Sequence, residues 1–531
     1  MRNHMAAGWF YSPSQIKRYF ATRVSSLKPP KDAKLVNPWT IIRKVNRHQW
    51  LMFSVGYLGW VWDAFDFFTV IICLTEIAAD FGVANSEVSW GITVTLMLRS
   101  VGALIFGILS DRYGRKWPMI INLGFFVVLE LGSAFCTSLT PFLAVRALYG
   151  IAMGGLFGPA AATALEDLPY DVRGVLAGLF QMGYDLGFLL AVIFYRALVP
   201  TTKHGWRSLF WFGSVPPIFI IIFRLCLPET HHFQAMKAER EARLKLKNSE
   251  AAEQKKTSSL RAFLNDAGKA LRQNWVMFIY LVVLMTAFNS CAHGSQDFYP
   301  TFLKDQVGLA PTEITVITVL GPIAAILSGP TIGYLSTIFG RRLSMMVCCI
   351  FGGAIIPAYI LPRNPNHLTA GVFFEQFFVG GVWAPVPIHL SELSPPALRG
   401  LLVGLTYQLG NLASAASATI QATIGETKYR LPDAPNGAKR FDYGKVMGIF
   451  LGATFAFLFL ILFLGPEMSQ EERETEDAAA KELDRLQREG KSLAEIGQDR
   501  AKLEHKMMQS EMEEEQKLPE EKAEVQTLEA K

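Results

Sequence analysis

Apolar residues run along this chain in long blocks, not in the short alternations of strands or the single stripes of surface helices. A block of about 18–25 such residues crosses a bilayer core roughly 30 Å thick as one helix. Blocks of this kind are predicted at 50–73, 88–109, 117–137, 141–164, 174–197 and 208–228. Six more are predicted at 274–294, 313–336, 343–361, 368–390, 399–424 and 446–465. Thr, Ser and Gly dilute 88–109 and 313–336, which suits helices that pack on helices more than on lipid. The predicted fold is therefore all-α transmembrane, with twelve helices in two six-helix sets.

The polar stretches divide the chain. Residues 1–49 form a tail, 50–228 a first six-helix half, 229–273 a central loop, 274–467 a second half and 468–531 an acidic tail. Basic residues sit in the even-to-odd links. Arg112, Arg115 and Lys116 follow the second span, Lys237, Arg240, Arg243, Lys245 and Lys247 lie in the central loop, and Arg341 and Arg342 follow the eighth. Segment 74–87 instead has Glu76, Asp80 and Glu87 and no Lys or Arg. The positive-inside rule then predicts both termini in the cytoplasm. The tail from Ser469 has 11 Lys+Arg against 19 Asp+Glu, with few apolar positions, which predicts isolated helix rather than a folded domain.

Composition agrees with a membrane protein and excludes other classes. Hydrophobic residues make up 51% and charged residues 18%, below the quarter or so of soluble domains. The +13 net charge of residues 1–468 lies in particular loops and forms no aromatic-interleaved stripe, so nucleic acid is not a predicted partner. Six scattered Cys show no metal-ligand spacing. The first apolar block starts too far in for a cleavable signal peptide. With no phosphate loop and no nucleophile triad, the chain is predicted not to be an enzyme and to need no metal or cofactor.

An internal repeat orders the two sets. Gly107-Ile-Leu-Ser-Asp111-Arg112-Tyr-Gly114-Arg115-Lys116 matches Gly333-Tyr-Leu-Ser-Thr337-Ile-Phe-Gly340-Arg341-Arg342 at an offset of 226 residues. The same offset maps Glu166 to Glu392 and Arg173-Gly174 to Arg399-Gly400. Parallel repeats of this kind are related by an axis along the membrane normal, giving two pseudo-symmetric bundles. Asp111 is suited to accept helix-start amides or to pair with a nearby Arg. Asp111, Arg112, Arg115, Glu166, Arg173, Glu392 and Arg399 are thus predicted to gate or brace the cytoplasmic ends.

The first block resembles the signature between helices two and three of the major facilitator superfamily. Leu143-Ala-Val-Arg146-Ala-Leu-Tyr-Gly150 resembles that superfamily's helix-four signature. A narrower match is Asn289-Ser-Cys-Ala292-His293-Gly-Ser295-Gln296-Asp297-Phe-Tyr-Pro-Thr301. It is similar to the signature of the fungal Jen-type carboxylate permeases and departs from it at Ala292, where that family has a hydroxyl. The stretches Glu392–Gly400 and Tyr407–Ser417, and Trp62-Asp63-Ala-Phe-Asp66 in the first span, also look Jen-like. The resemblance covers roughly residues 45–465. It implies a major facilitator fold and proton-coupled transport of lactate, pyruvate, acetate or a dicarboxylate, with the plasma membrane as its place.

The polar residues inside the spans supply the chemistry. Asn289, His293 and Gln296 share a helical face, and Asp297 is i+4 from His293. With Ser295, and with Gln408 and Asn411 at i and i+3, they offer donors to a carboxylate. Arg146 is a cation inside a span, a natural partner for the same group. Asp63 and Asp66, three apart in the first span, join Asp297 and Glu375 as candidate proton carriers. Arg99 and Glu130 read as a charge pair. Glu375 maps onto Tyr149, one turn beyond Arg146. The function predicted is alternating-access symport of a small carboxylate with protons as the coupling ion. The partners are substrate, proton, membrane lipid and regulatory factors acting on the tails. The rival readings are a non-transporting nutrient sensor and a carrier for another organic anion such as a sugar acid.

Overall fold

The structure, a computed structural model, describes residues 17–503 except 18, 29–35, 84, 251–264, 266–267, 396–397, 433–439, 469–474, 476–477, 480–481, 484 and 487–488. Among these residues eleven helices are long and apolar enough to cross a membrane. In chain order they are Arg47–Ile72, Trp90–Tyr113, Lys116–Ala134, Leu139–Leu165, Asp171–Leu198, Arg207–Cys226, Trp275–Val307, Thr312–Phe339, Arg341–Ile360, Pro365–Leu393 and Tyr443–Leu464. The first ten are called the first to tenth spans below, and Tyr443–Leu464 the last span. The chain is all-α and polytopic, as the apolar blocks predicted.

Segment 399–424 departs from the prediction of one apolar span. It forms two helices, Arg399–Ser414 of 16 residues and Ser417–Lys428 of 12, and neither is among the helices long and apolar enough to cross a membrane. Thr406, Gln408, Asn411, Ser414 and Gln421 are buried there among other helices. A helix that turns polar side chains inward need not be apolar all round.

Local sequence sets the helix ends. Asn46 Oδ1 accepts the amide of Gln49 at 2.8 Å, and Gln49 Oε1 accepts that of Asn46 at 3.0 Å, opening the first span with a reciprocal cap. The links after the second and eighth spans turn on Gly114 (φ 108°) and Gly340 (φ 98°). A side chain is strained at such φ, so the repeated glycine is required at both places.

The packing follows the repeat. The second span lies on the fourth, and the eighth on the tenth; the third lies on the sixth, and the ninth on the last. The first packs on the fifth, and the seventh on Arg399–Ser414. Across the halves, the second span lies on Arg399–Ser414 and the eighth on the fifth. The N-terminal segment also reaches the second half. Tyr19 and Arg23 donate to the carbonyls of Leu464 and Gly465, while Arg342 donates to those of Leu462 and Phe463. These are carbonyls that the end of the last span leaves without helical partners.

A second compact unit combines Glu229–Gly268 with Arg473–Lys531. Its helix His231–Glu250 contributes Ala235 to a buried cluster with Leu483 and Ile496, flanked by Leu486 and Leu493. The composition of the acidic tail predicts isolated helix with little to bury. The sparse apolar residues of the tail find cover on the central-loop helix, which a reading of the tail alone does not supply.

Candidate functional site

The links after the second and eighth spans build a junction between the halves. Arg115 pairs with Glu166 at 2.7 Å, and Arg341 with Glu392 at 3.2 Å, both fully buried and both at the repeat offset. Asp111 accepts the backbone amides of Gly400 and Leu401 at 3.0 and 2.8 Å and lies 3.2 Å from Arg115. It does both things its position in sequence suggests, and the amide contacts cross from one half to the other. A carboxylate at a helix start is favoured by the helix dipole. The second copy has Thr337, whose Oγ1 accepts from Arg341 at 2.9 Å. A Cβ on Gly174, the repeat mate of Gly400, would lie 2.0 Å from that hydroxyl oxygen. Arg173 donates to the carbonyls of Leu168 and Glu166, and Arg112 stacks over Tyr113. Arg399 opens the helix whose first amides reach Asp111.

The first half carries five charged side chains at its centre, each no more than 1% exposed: Asp63, Asp66, Arg99, Glu130 and Arg146. Sequence paired Arg99 with Glu130, and the structure corrects this. Glu130 bonds Arg146 at 2.9 Å, and Arg99 lies 3.9 Å from Asp63. A carboxylate in an adjacent span is available to each Arg once the helices pack, and linear spacing does not reveal which. The Arg146 guanidinium also lies 3.9 Å over the ring of Tyr149. Asp63 has no hydrogen-bond partner at either oxygen, Arg99 has none at Nε or Nη2, and Asp66 faces the hydroxyl of Tyr149. In a low-dielectric setting such groups await a ligand, a proton or water.

The signature in the seventh span forms a polar cluster. The helix continues through Gln296, so His293 meets Asp297 one turn on, with Nδ1 2.9 Å from its carboxylate. Its Nε2 lies 2.8 Å from Oδ1 of Asn411. The His293 side chain is 19% exposed and that of Asp297 44%, so the pair is reachable by solvent. Gln296 donates to Gln376 of the tenth span at 2.8 Å. Gln408 lies on the Asn411 helix, and both ends of its buried amide lack a partner. Asn289 and Ser295 are turned back onto their own helix, donating to the carbonyls of Met285 and Ala292. The charge of Arg99 acts on His293, Tyr184 and Tyr407 as well as on the first-half carboxyls.

Sequence reasoning passed over two features of this centre. One is the influence of the Arg99 charge on His293 and Tyr407 in the second half, whose only signal was a cation in mid-span. The other is Tyr407, beside Gln408, which stacks on Phe157 at 4.2 Å and meets Trp60 and Trp383 at 6.0 and 5.8 Å. Glu375 stands apart in the tenth span. An open cavity of about 1170 Å³, lined by Glu76, Asp80, Tyr195, Lys203 and Arg207 among others, includes none of the predicted site residues.

A family model described as sugar (and other) transporter matches residues 42–521. The chain belongs to this transporter family. It is 39% identical over 460 residues to a carboxylic acid transporter protein homolog of Saccharomyces cerevisiae, covering 86% of this chain and 74% of that one. It is 24% identical to the cis,cis-muconate transport protein of Acinetobacter baylyi, covering 77% of this chain and 96% of that one. Among solved structures it resembles a proton:xylose symporter of the major facilitator superfamily. That match has a TM-score of 0.60 and 16% identity, over 81% of this chain and 98% of that one. The human organic anion transporter gives a TM-score of 0.53 at 16% identity, over 79% of this chain and 100% of that one. The fold is that of the major facilitator superfamily, and membership in this family makes the chain a transporter and not an enzyme.

Proposed function

We propose that this transporter is a symporter of protons and small carboxylates such as lactate, pyruvate, acetate or a dicarboxylate. It works by alternating access between two six-helix halves, with the broken helix 399–428 serving as the eleventh of twelve spans. The Arg115 junction and both termini lie in the cytoplasm of a cell whose plasma membrane holds the carrier. The single observation that carries this reading is His293, held between Asp297 and Asn411 in the polar cluster of the seventh span.

Those groups have the chemistry a carboxylate needs. Arg99 offers unused guanidinium donors, Gln408 an unused amide, and His293 a ring whose hydrogen bonds are exchangeable. With Oδ1 of Asn411 toward Nε2, both ring nitrogens face acceptors, as in an imidazolium; the reversed amide suits the neutral ring. The substrate draws Arg99 away from Asp63. Asp63 and Asp66, with Glu130 beside Arg146, form the proton-accepting set, since three carboxyls face two guanidiniums. Arg146 serves here as the cation of that set and not as the first contact of the substrate. Coupling requires that proton and substrate each favour the same change of state. The structure has the Arg115 junction closed, which fits loading from the opposite face. The relatives named for a carboxylic acid and for muconate support an organic-anion substrate.

Purified protein in liposomes tests this reading. A carboxylate gradient is expected to drive proton uptake, with competition by lactate and succinate exceeding that by gluconate. Binding without flux would make the chain a sensor, and preference for gluconate would make it a sugar-acid carrier.

A further inference from the structure

Glu375 is the carboxyl that the first-half cluster does not explain. It lies in the middle of the tenth span, is 0% exposed, and has no hydrogen-bond partner at either oxygen. Among the described residues no cation pairs with it. Its helix, Pro365–Trp383, packs against the eighth and ninth spans and touches the seventh. The eighth carries only Glu313 as a charged residue, in its first turn, where it caps Ala310. The ninth carries Arg341 and Arg342 in its first turn, committed to Glu392 and to the carbonyls of Leu462 and Phe463. The seventh brings His293, already held by Asp297 and Asn411, and Lys304, which is exposed.

The titratable groups that do face Glu375 are Cys291 and Tyr299 from the seventh span and Tyr359 from the ninth, with Cys349 behind Cys291. None donates to it. Tyr299 and Tyr359 stack with centroids 4.1 Å apart and donate to the carbonyls of Tyr359 and Ser295. The next residue, Gln376, bonds Gln296 of the seventh-span signature. Glu375 is thus isolated from charge yet one residue from a bridge to the substrate region.

We propose that Glu375 is a second proton-binding site of the transport cycle, in the second half and independent of Asp63, Asp66 and Glu130. One O–H bond forms on its carboxylate when the tenth span faces the loading side, and the proton leaves to water when the span opens to the other. No redox partner takes part. Gln376 passes occupancy of the site to Gln296 and so to the substrate. The proposal rests on the symport reading above and adds one coupled proton to it.

The test uses the full-length protein in liposomes at zero membrane potential. Steady-state substrate accumulation is measured against the imposed pH difference, for the wild type and Glu375→Gln. The variant is expected to accumulate less by about tenfold for each unit of pH difference, the equivalent of one proton. An unchanged slope in a transporting variant overturns the proposal. A second readout does not need transport. The infrared band of a protonated carboxyl is expected in the wild type and expected to lose one carboxyl in Glu375→Gln; an identical band overturns the proposal. A wild type that shows no proton-driven flux, yet loses the band on substitution, refutes the symport reading and leaves the proton site standing.

Discussion

Asp111 accepts the backbone amide of Gly400 at 3.0 Å, although 289 residues separate them in the chain. With the amide of Leu401 on its other oxygen, it ties the second span to the start of a helix in the other half. Hydrogen bonds to a charged group are worth about 1.5–3 kcal/mol each. In Asp111→Asn one amide loses its acceptor and the charge is gone. The closed junction is expected to lose about tenfold or more in population. Spin labels placed on the outer turns of these two helices would report the longer distance directly.

The mate of this contact depends on space and not on charge. A Cβ at Gly174 would meet the Gly333 carbonyl at 2.4 Å as well as Thr337 Oγ1. Backbone atoms do not yield cheaply, so Gly174→Ala is expected to hold the fifth and eighth spans apart. Net flux should fall by at least tenfold while the protein still reaches the membrane. Substrate uptake normalised to surface protein measures this, and normal uptake would show that the junction need not close.

Arg99 and Arg146 separate by function under conservative substitution. Lys keeps the charge at either site but loses the fork that holds a carboxylate in two places. Arg99→Lys is expected to raise the substrate KM about tenfold or more at nearly unchanged kcat. Arg146→Lys is expected to lower proton-driven accumulation with a smaller effect on KM. Initial-rate kinetics and counterflow exchange, run on both variants, distinguish the two.

The Glu130–Arg146 bond is buried on both sides. Removing one member of such a pair leaves a charge without compensation and costs about 3–5 kcal/mol. Arg146→Gln and Glu130→Gln are each expected to lower the melting temperature in detergent. The double variant should recover most of the loss, and a strictly additive loss would argue against the pairing.

In the second unit, Leu483 and Ile496 bury against Ala235. Leu483→Asp places a charge in a cluster too small to absorb it. Limited proteolysis is expected to cut the tail faster, and an unchanged digestion rate would show that the cluster does not hold it.

Much of this protein is legible in one dimension. Long apolar blocks located the spans, because a bilayer demands a fixed length of apolar helix wherever the helix sits in the bundle. The 226-residue offset maps Arg115 onto Arg341 and Glu166 onto Glu392, and in space each Arg pairs with the Glu of its own half. Gly114 and Gly340 recur at the same offset, and both adopt positive φ. His293 and Asp297 were legible as a pair because one turn of helix joins them.

What the sequence determined, then, is whatever a single helix or a repeated stretch decides: span, turn, cap and i,i+4 contact. Tertiary structure alone decided which guanidinium meets which carboxyl. Arg99 and Arg146 are both mid-span cations, and only the packing of the first four spans gives Asp63 to one and Glu130 to the other. Tertiary structure also decided that 399–428 breaks and turns Gln408 and Asn411 inward, and that His293 ends against Asn411. The reason is the same in each case. The energy of a buried polar group depends on its partner, and the partner comes from another helix whose distance in sequence carries no trace of its distance in space.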